Sequence, residues 1–362
     1  MLIFDSHLDL AWNAVEWKRN LLAPVNEIRE AEHSITGIGR GSNTVSYPEL
    51  RNAKVFCCLA TILTRKIVDG YPPFVPFEDD LTAVSAALSQ VDHYKQMVKM
   101  SHLRQIFSVE DLEDHLNGWE KSDCRIPGFI LSMEGADPIL SIEQLLDWWN
   151  LGLRVISLVH YGENQFSHGT GKMGGLKPLG KKLLKCMEQY GFILDVTHLT
   201  DQATKEAMEL FSGPVLASHH NCRTLVPGQR QLTDEQIRMM VERNAVIGVA
   251  FDNWMLYPNW EKGISSREKV TMDAVANHID HICQVAGSSV NIGIGSDLDG
   301  GFGTEQSPID LDTIVDIQRL IPLLERRGYR AKEIEGIMFR NWSEFFTRNL
   351  PTAESLLETE GK

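Results

Sequence analysis

Eight short runs rich in Ile, Val, Leu and Phe recur along the whole chain: Leu2–Phe4, Val55–Leu63, Phe129–Met133, Val155–Val159, Phe192–Val196, Val215–Ala217, Ala245–Phe251 and Val290–Ile294. Runs this short and this rich in apolar residues suit strands buried on both faces, the condition of a parallel sheet. Eight is the number that closes such a sheet into a (β/α)8, or TIM, barrel.

The segments between most of the runs carry helical period. Ile142–Leu151 places Ile142, Leu145, Leu146 and Trp149 on one face, and Leu179–Tyr190 and Gln202–Phe211 read similarly, the latter with Asp201 as its expected cap. Thr233–Arg243 opens with a capping box, Thr233 and Gln236. Two excursions interrupt the alternation. Residues Asn13–Arg51 carry glycine and serine around Gly37–Ser42, as a lid or subunit contact would, and Val75–Arg125 reads as mostly helical. Leu311–Arg327 and Ala331–Leu350 supply closing C-terminal helices, and no linker divides the chain, so one domain over residues 1–362 is expected.

The formal charge of −14 argues against nucleic acid as a partner and disfavours anionic membrane. The N-terminus lacks a basic, apolar leader, no run approaches the roughly 18 apolar residues of a span, and the polar C-terminal segment does not suit an anchor signal. The six cysteines show no CxxC, so reduced thiols and a cytoplasmic location are expected.

In a parallel barrel all strand C-termini open on one face, and that face carries the chemistry. His7, Asp9, Glu134, His198, His219 and Asp297 each lie at or just past the end of an apolar run. Residues dispersed over nearly the whole chain therefore converge. His7 and Asp9 are two apart, which puts both on one side of a strand end. A carboxylate directly after the run Phe129–Met133, as Glu134 is, is costly to bury unless paired or coordinated. Two successive runs each end in a histidine, His198 and His219. One strand-end histidine is ordinary, but the repeated placement beside three carboxylates points to a metal centre, and the mixed nitrogen and oxygen set suits zinc over manganese or iron. His160 ends another run and faces the same mouth. Asp299 reads as a turn residue, His278 and His281 as an exposed helical pair, and His33, His93, His102 and His115 as surface.

Taken in order, Asp5-Ser-His7-Leu-Asp9, Glu134-Gly, His160, Asp195-Val-Thr-His198, Ser218-His219, Gly295-Ser-Asp297-Leu-Asp-Gly and Asn341-Trp342 resemble the renal (membrane) dipeptidase family, the M19 metallopeptidases of the amidohydrolase superfamily. The resemblance covers nearly the whole chain; each motif is unspecific alone and the ordered set is specific. It implies a barrel of the metal-dependent hydrolase type that cleaves dipeptides, with tolerance for a D-residue at the C-terminal position. It also implies two zinc ions per chain, one on His7 and Asp9 and the other on His198 and His219, with Glu134 between them. Asp297 would move the proton of a bridging hydroxide, His160 would steady the oxyanion, and Arg230 would hold the substrate's terminal carboxylate with Arg223 assisting. A homodimer is compatible with the resemblance. The chain departs from the animal enzymes in lacking their leader and anchor signals, in His220-Asn221-Cys222, and in its early loop. Two rivals differ in kind. A cyclic amidase, lactonase or deaminase would favour a His-x-His start, where this chain has Asp9. A metal-binding scaffold without catalysis would have no use for Asp297, His160 and Arg230.

Overall fold

The computed structural model describes residues 1–64, 79–121 and 125–360. Cys124 and parts of the expected helical excursion Val75–Arg125 lie outside the described residues; within them that excursion contains helices at Asp80–Lys99 and Val109–Lys121.

The strands are β1 (Ile3–Leu8), β2 (Val55–Leu63), β3 (Arg104–Gln105), β4 (Gly128–Glu134), β5 (Leu153–Ser157), β6 (Ile193–Asp195), β7 (Val215–Leu216), β8 (Ile247–Val249) and β9 (Ile292–Ile294). All pairings are parallel, in the order β7-β6-β5-β4-β2-β1-β9-β8, with β3 an extra partner of β4. An isolated parallel bridge, Ala217 to Ile247, joins the two ends of that order. The amides of Ala217, Gly248 and His220 donate across it to Val246, Ala217 and Gly248 at 3.1, 2.8 and 2.7 Å. The eight expected runs are thus the eight staves of a TIM barrel, the fold class read from the sequence.

The lower mouth is plugged by aromatic rings. Phe4 stacks on Phe346 at 5.3 Å between centroids, and Trp342 donates its indole N–H to the Ile294 carbonyl at 3.0 Å. Beside it Asn341 donates to Ile292 and Ser289 carbonyls. These partners, from Ser289 along the length of β9, give Asn341-Trp342 a structural role.

Several local expectations are corrected. β1 runs on past Phe4 to Leu8 because its polar residues find partners inside the wall: the Ser6 hydroxyl donates to Ser218 and Ile294 carbonyls. The cap of helix Asp201–Leu210 is Thr200, whose hydroxyl accepts from the Ala203 amide, and not Asp201. The expected helix Ala331–Leu350 is broken by a π turn at Gly336–Arg340. His278 is buried, since it falls on the inward stripe of helix Met272–Ala286 with Val275, Ala276, Ile279 and Ile282, and its Nδ1 accepts from the Cys222 amide. His281 is half-buried against Asp234. His115 is buried too, bonded to the Phe56 carbonyl at 2.9 Å.

Asp299 stands in a turn with φ 64°, as expected, but its carboxylate does more than serve that turn. It is 2 % exposed, and accepts from the Thr44 amide and hydroxyl and the Val45 amide at 2.7, 2.8 and 3.0 Å. Arg19 lies 3.6 Å from it and binds Glu32 on its other side. Glu305 meanwhile accepts from the Gly39 amide and the Ser42 hydroxyl. Two carboxylates past β9 therefore clamp the early excursion over the barrel's upper end, where Ile38 reaches the central cavity. Removing one member of a buried ion network costs about 3–5 kcal/mol. Asp299→Ala should lower the urea midpoint accordingly, and an unchanged midpoint would return Asp299 to being a simple turn residue.

Candidate metal centre

The upper end of the barrel is built by a repeated register. β5, β6, β7 and β9 end at Ser157, Asp195, Leu216 and Ile294, and the third residue beyond each is His160, His198, His219 and Asp297. Glu134 is the last residue of β4, His7 the next-to-last of β1, and Asp9 follows β1 at the start of a short helix. His198 and Asp297 hold left-handed backbone, φ 69° and 59°. Bulky residues pay for such angles in strain, which persists where the surrounding fold enforces it and clusters at functional sites. The floor beneath is closely packed. A Cβ on Gly248 or Gly295 would stand 2.0 or 1.9 Å from the Ser218 carbonyl, so only glycine lets these strands approach.

Glu134 sits at the centre, 4 % exposed, and its two oxygens face different partners. Oε2 lies 3.6 Å from His7 Nε2. Oε1 lies 3.0 Å from His198 Nε2, 3.3 Å from His219 Nε2 and 3.8 Å from His160 Nε2. His7 Nε2 is also 3.7 Å from Asp9 Oδ2 and 3.8 Å from Asp297 Oδ1. Yet His7 Nε2, Asp9 Oδ1, Glu134 Oε1 and His198 Nε2 are buried without a hydrogen bond among the described residues. Orphaned polar atoms of this kind, converging from several strands, call for an ion. Ligand atoms of His7, Glu134 and His219, of Glu134, His160 and His198, and of His7, Asp9 and Asp297 lie within 4.8 Å of one another in each group.

The imidazoles are oriented from behind, as metal-ligating histidines usually are. The Ser218 hydroxyl donates to Asp195 Oδ2 at 2.5 Å, which leaves its oxygen to accept from His219 Nδ1 at 2.9 Å. The Thr170 hydroxyl stands 2.9 Å from His198 Nδ1. Both rings thereby present Nε2 inward. Burial pushes the pKa values of His198 and His219 well below the ordinary imidazole value, so both are neutral and carry a free lone pair. Burial also raises Glu134 to about 8 and Asp297 to about 7. For His7 burial acts downward, but Glu134, Asp9 and Asp297 outweigh it and carry its pKa to about 10. The cluster holds protons where it wants positive charge, and a cation would displace them. The donor set, the orphaned atoms and the excess of carboxylate all fit divalent metal.

A cavity open to solvent lies over the cluster and is lined by Asp9, Glu134, His160, His198, His219 and Asp297 among others. Arg230 reaches it as well. It is 3 % exposed, with Nη2 donating to the His219 carbonyl at 2.8 Å and Nη1 without a hydrogen bond among the described residues. Arg223 is not brought there: its guanidinium is taken by Asp201 at 2.8 and 2.7 Å and by the Gln231 and Gln229 carbonyls. Sequence reasoning missed Tyr161, Asp252, Trp254 and Lys262, all of which line the cavity. Asp252 had a legible signal, because it directly follows the run Ala245–Phe251.

The sequence profile of the membrane dipeptidases, peptidase family M19, matches residues 1–356. An uncharacterized dipeptidase of Schizosaccharomyces pombe is 29% identical over 267 residues, which cover 72% of this chain and 61% of that protein. Dipeptidase 3 of Homo sapiens is 24% identical over 373 residues, 99% of this chain and 68% of its own length. The chain thus matches about six- to seven-tenths of the length of these relatives. Among solved structures, the M19 metallopeptidase called dipeptidase AC superposes with a TM-score of 0.78 at 23% identity, over 97% of this chain and 99% of its own. A metallopeptidase from Rhodobacter sphaeroides, solved with a phosphinate mimic of L-Ala-D-Ala, gives 0.77 at 23% identity over 96% and 99%. At that identity the two superpositions establish the fold.

Proposed function

The chain belongs to the membrane dipeptidase family, and from that premise we propose that it is a zinc-dependent hydrolase of dipeptides, with two ions sharing Glu134. The observation that carries this reading is the division of Glu134's two oxygens between the His7 side and the His198–His219 side. His7 and Asp9 would hold one ion, His198 and His219 the other. Bound there, such ions lower the pKa of a coordinated water towards about 7 and polarise a scissile carbonyl.

The remaining roles belong to side chains of this chain. Asp297, at the edge of the cluster 3.8 Å from His7, takes a proton from the attacking water and returns it to the leaving amine. His160, beside Glu134 and His198, steadies the oxygen of the carbonyl under attack. Arg230 supplies a planar guanidinium with an unused donor, the group that reads a carboxylate best. That favours short peptides whose free terminus lies close to the bond cut. Arg223, engaged with Asp201, is left out of this reading. Tolerance for a D-residue at the C-terminal position belongs to the proposal, supported by the L-Ala-D-Ala mimic on the Rhodobacter sphaeroides relative. No helix among the described residues is long and apolar enough to cross a membrane, and the free cysteines suit the cytoplasm, where we place the protein.

The test is a panel of L,L- and L,D-dipeptides, free and C-terminally amidated, assayed on zinc-reconstituted protein. Free dipeptides should be cleaved and amidated ones should be poor substrates. Arg230→Ala should chiefly raise KM, by roughly 30-fold or more, the scale for truncating one side of a buried charge pair. Equal rates for free and amidated dipeptides would overturn the assignment of Arg230, and an inert panel would overturn the activity.

A further inference from the structure

The register that places His160, His198, His219 and Asp297 at the cavity recurs once more. β8 ends at Val249, and the third residue beyond it is Asp252. Asp252 lines the same cavity and is 3 % exposed, yet none of the roles above uses it. Its Oδ1 accepts from Gln306 Nε2 at 2.7 Å and from the Trp254 amide at 3.3 Å. Its Oδ2 faces Lys262 Nζ at 3.6 Å, an ion pair stretched beyond good hydrogen-bonding distance. The Lys262 ammonium also stands 4.7 Å over the Trp254 ring. A carboxylate and an indole face thus hold this ammonium at the cavity wall, with its N–H donors still available to a ligand.

We infer that Lys262 forms a second carboxylate subsite, which selects dipeptides bearing an acidic side chain, with Asp252 and Gln306 as its positioning residues. This rests on the dipeptidase reading, in which Arg230 takes the terminal carboxylate. A dipeptide containing Asp or Glu carries two carboxylates, and among the described residues the cavity offers two cationic side chains, Arg230 and Lys262. Exposure decides which half of the Lys262–Asp252 pair meets the ligand. The Asp252 side chain is 4 % exposed and its Oδ1 is taken by Gln306 and the Trp254 amide, whereas Lys262 lines the cavity with its ammonium over Trp254, so the ammonium is the half within reach. A basic substrate side chain would have to displace Lys262 from a buried carboxylate.

The experiment compares phosphinate analogues of Ala-Ala, Ala-Glu, Glu-Ala and Ala-Lys by calorimetry on the zinc-loaded protein, with kcat and KM for the matching dipeptides. One acidic analogue should bind about five- to tenfold more tightly than Ala-Ala, as expected for a charge-assisted contact at a half-exposed site. The advantage should appear in KM, vanish in Lys262→Met and persist in Lys262→Arg. Asp252→Asn should reduce it by releasing the ammonium from its position. Equal affinity for acidic and neutral analogues, an advantage that survives in Lys262→Met, or a preference for Ala-Lys would each overturn the subsite. A Lys262-dependent preference in binding with no turnover of any dipeptide would support the subsite and sink the dipeptidase reading, so the two failures are distinguishable.

Discussion

Glu134→Gln should weaken both metal sites together, lowering the affinity for each ion by roughly 10²-fold or more, since disturbing even the outer partners of a ligand costs 10–100-fold. The expectation follows from the two faces of one carboxylate, Oε2 towards His7 and Oε1 towards His198 and His219. A neutral amide presents one acceptor and one donor, so one side would meet an N–H where it needs an oxygen. Elemental analysis of the purified variant reads the result directly. Full occupancy by two ions would contradict the shared role, and loss of one ion alone would confine Glu134 to a single site.

Asp297→Asn should leave the metals and the fold in place while kcat falls about 10²–10⁴-fold, the scale of general acid–base work. Asp297 stands 3.8 Å from His7 at the cluster's edge, with its side chain 14 % exposed towards the cavity. The amide conserves shape and the left-handed backbone at φ 59°, which asparagine tolerates well. Burial raises the Asp297 pKa in the metal-free cluster and bound cations would lower it, so activity that needs its unprotonated form should fall on the acid side of neutrality. The acidic limb of the kcat/KM profile should shift or disappear in the variant. Near-normal turnover with both ions present would return Asp297 to being a structural carboxylate.

Much of this was legible because a parallel barrel converts sequence position into spatial position. An apolar run fixes a strand, the strand's end fixes a height on one face, and residues at or just past that end can reach the cavity. His160, His198, His219 and Asp297 could be read that way, and Asp252 obeys the same rule. What stayed hidden depends on contacts between distant segments. Nothing local to Asp299 announces that it will bind the amides of Thr44 and Val45. Lys262 lies on a loop with no period, and only its ion pair with Asp252 and its place over Trp254 bring it to the cavity wall. Arg223 does not line the cavity, and that too was hidden: its proximity to His219 in sequence said nothing of Asp201, which takes its guanidinium.

The barrel wall is not equally strong all round. β2 and β4 share a long register, whereas β7 and β8 meet through a single bridge at Ala217 and Ile247. His219 leaves the wall beside that weak seam, while Glu134 and His7 rise from staves elsewhere on the ring. An ion on His7 and another on His219, joined through Glu134, would together act as a hoop around the upper rim, because parting the seam would stretch their coordination. Ligands that bind only the closed form raise the free energy of opening. Resistance to breathing would then reside in the inorganic hoop more than in the sheet. Deuterium uptake at the amides of Ala217, His220 and Gly248 would be the gauge of whether the hoop is on.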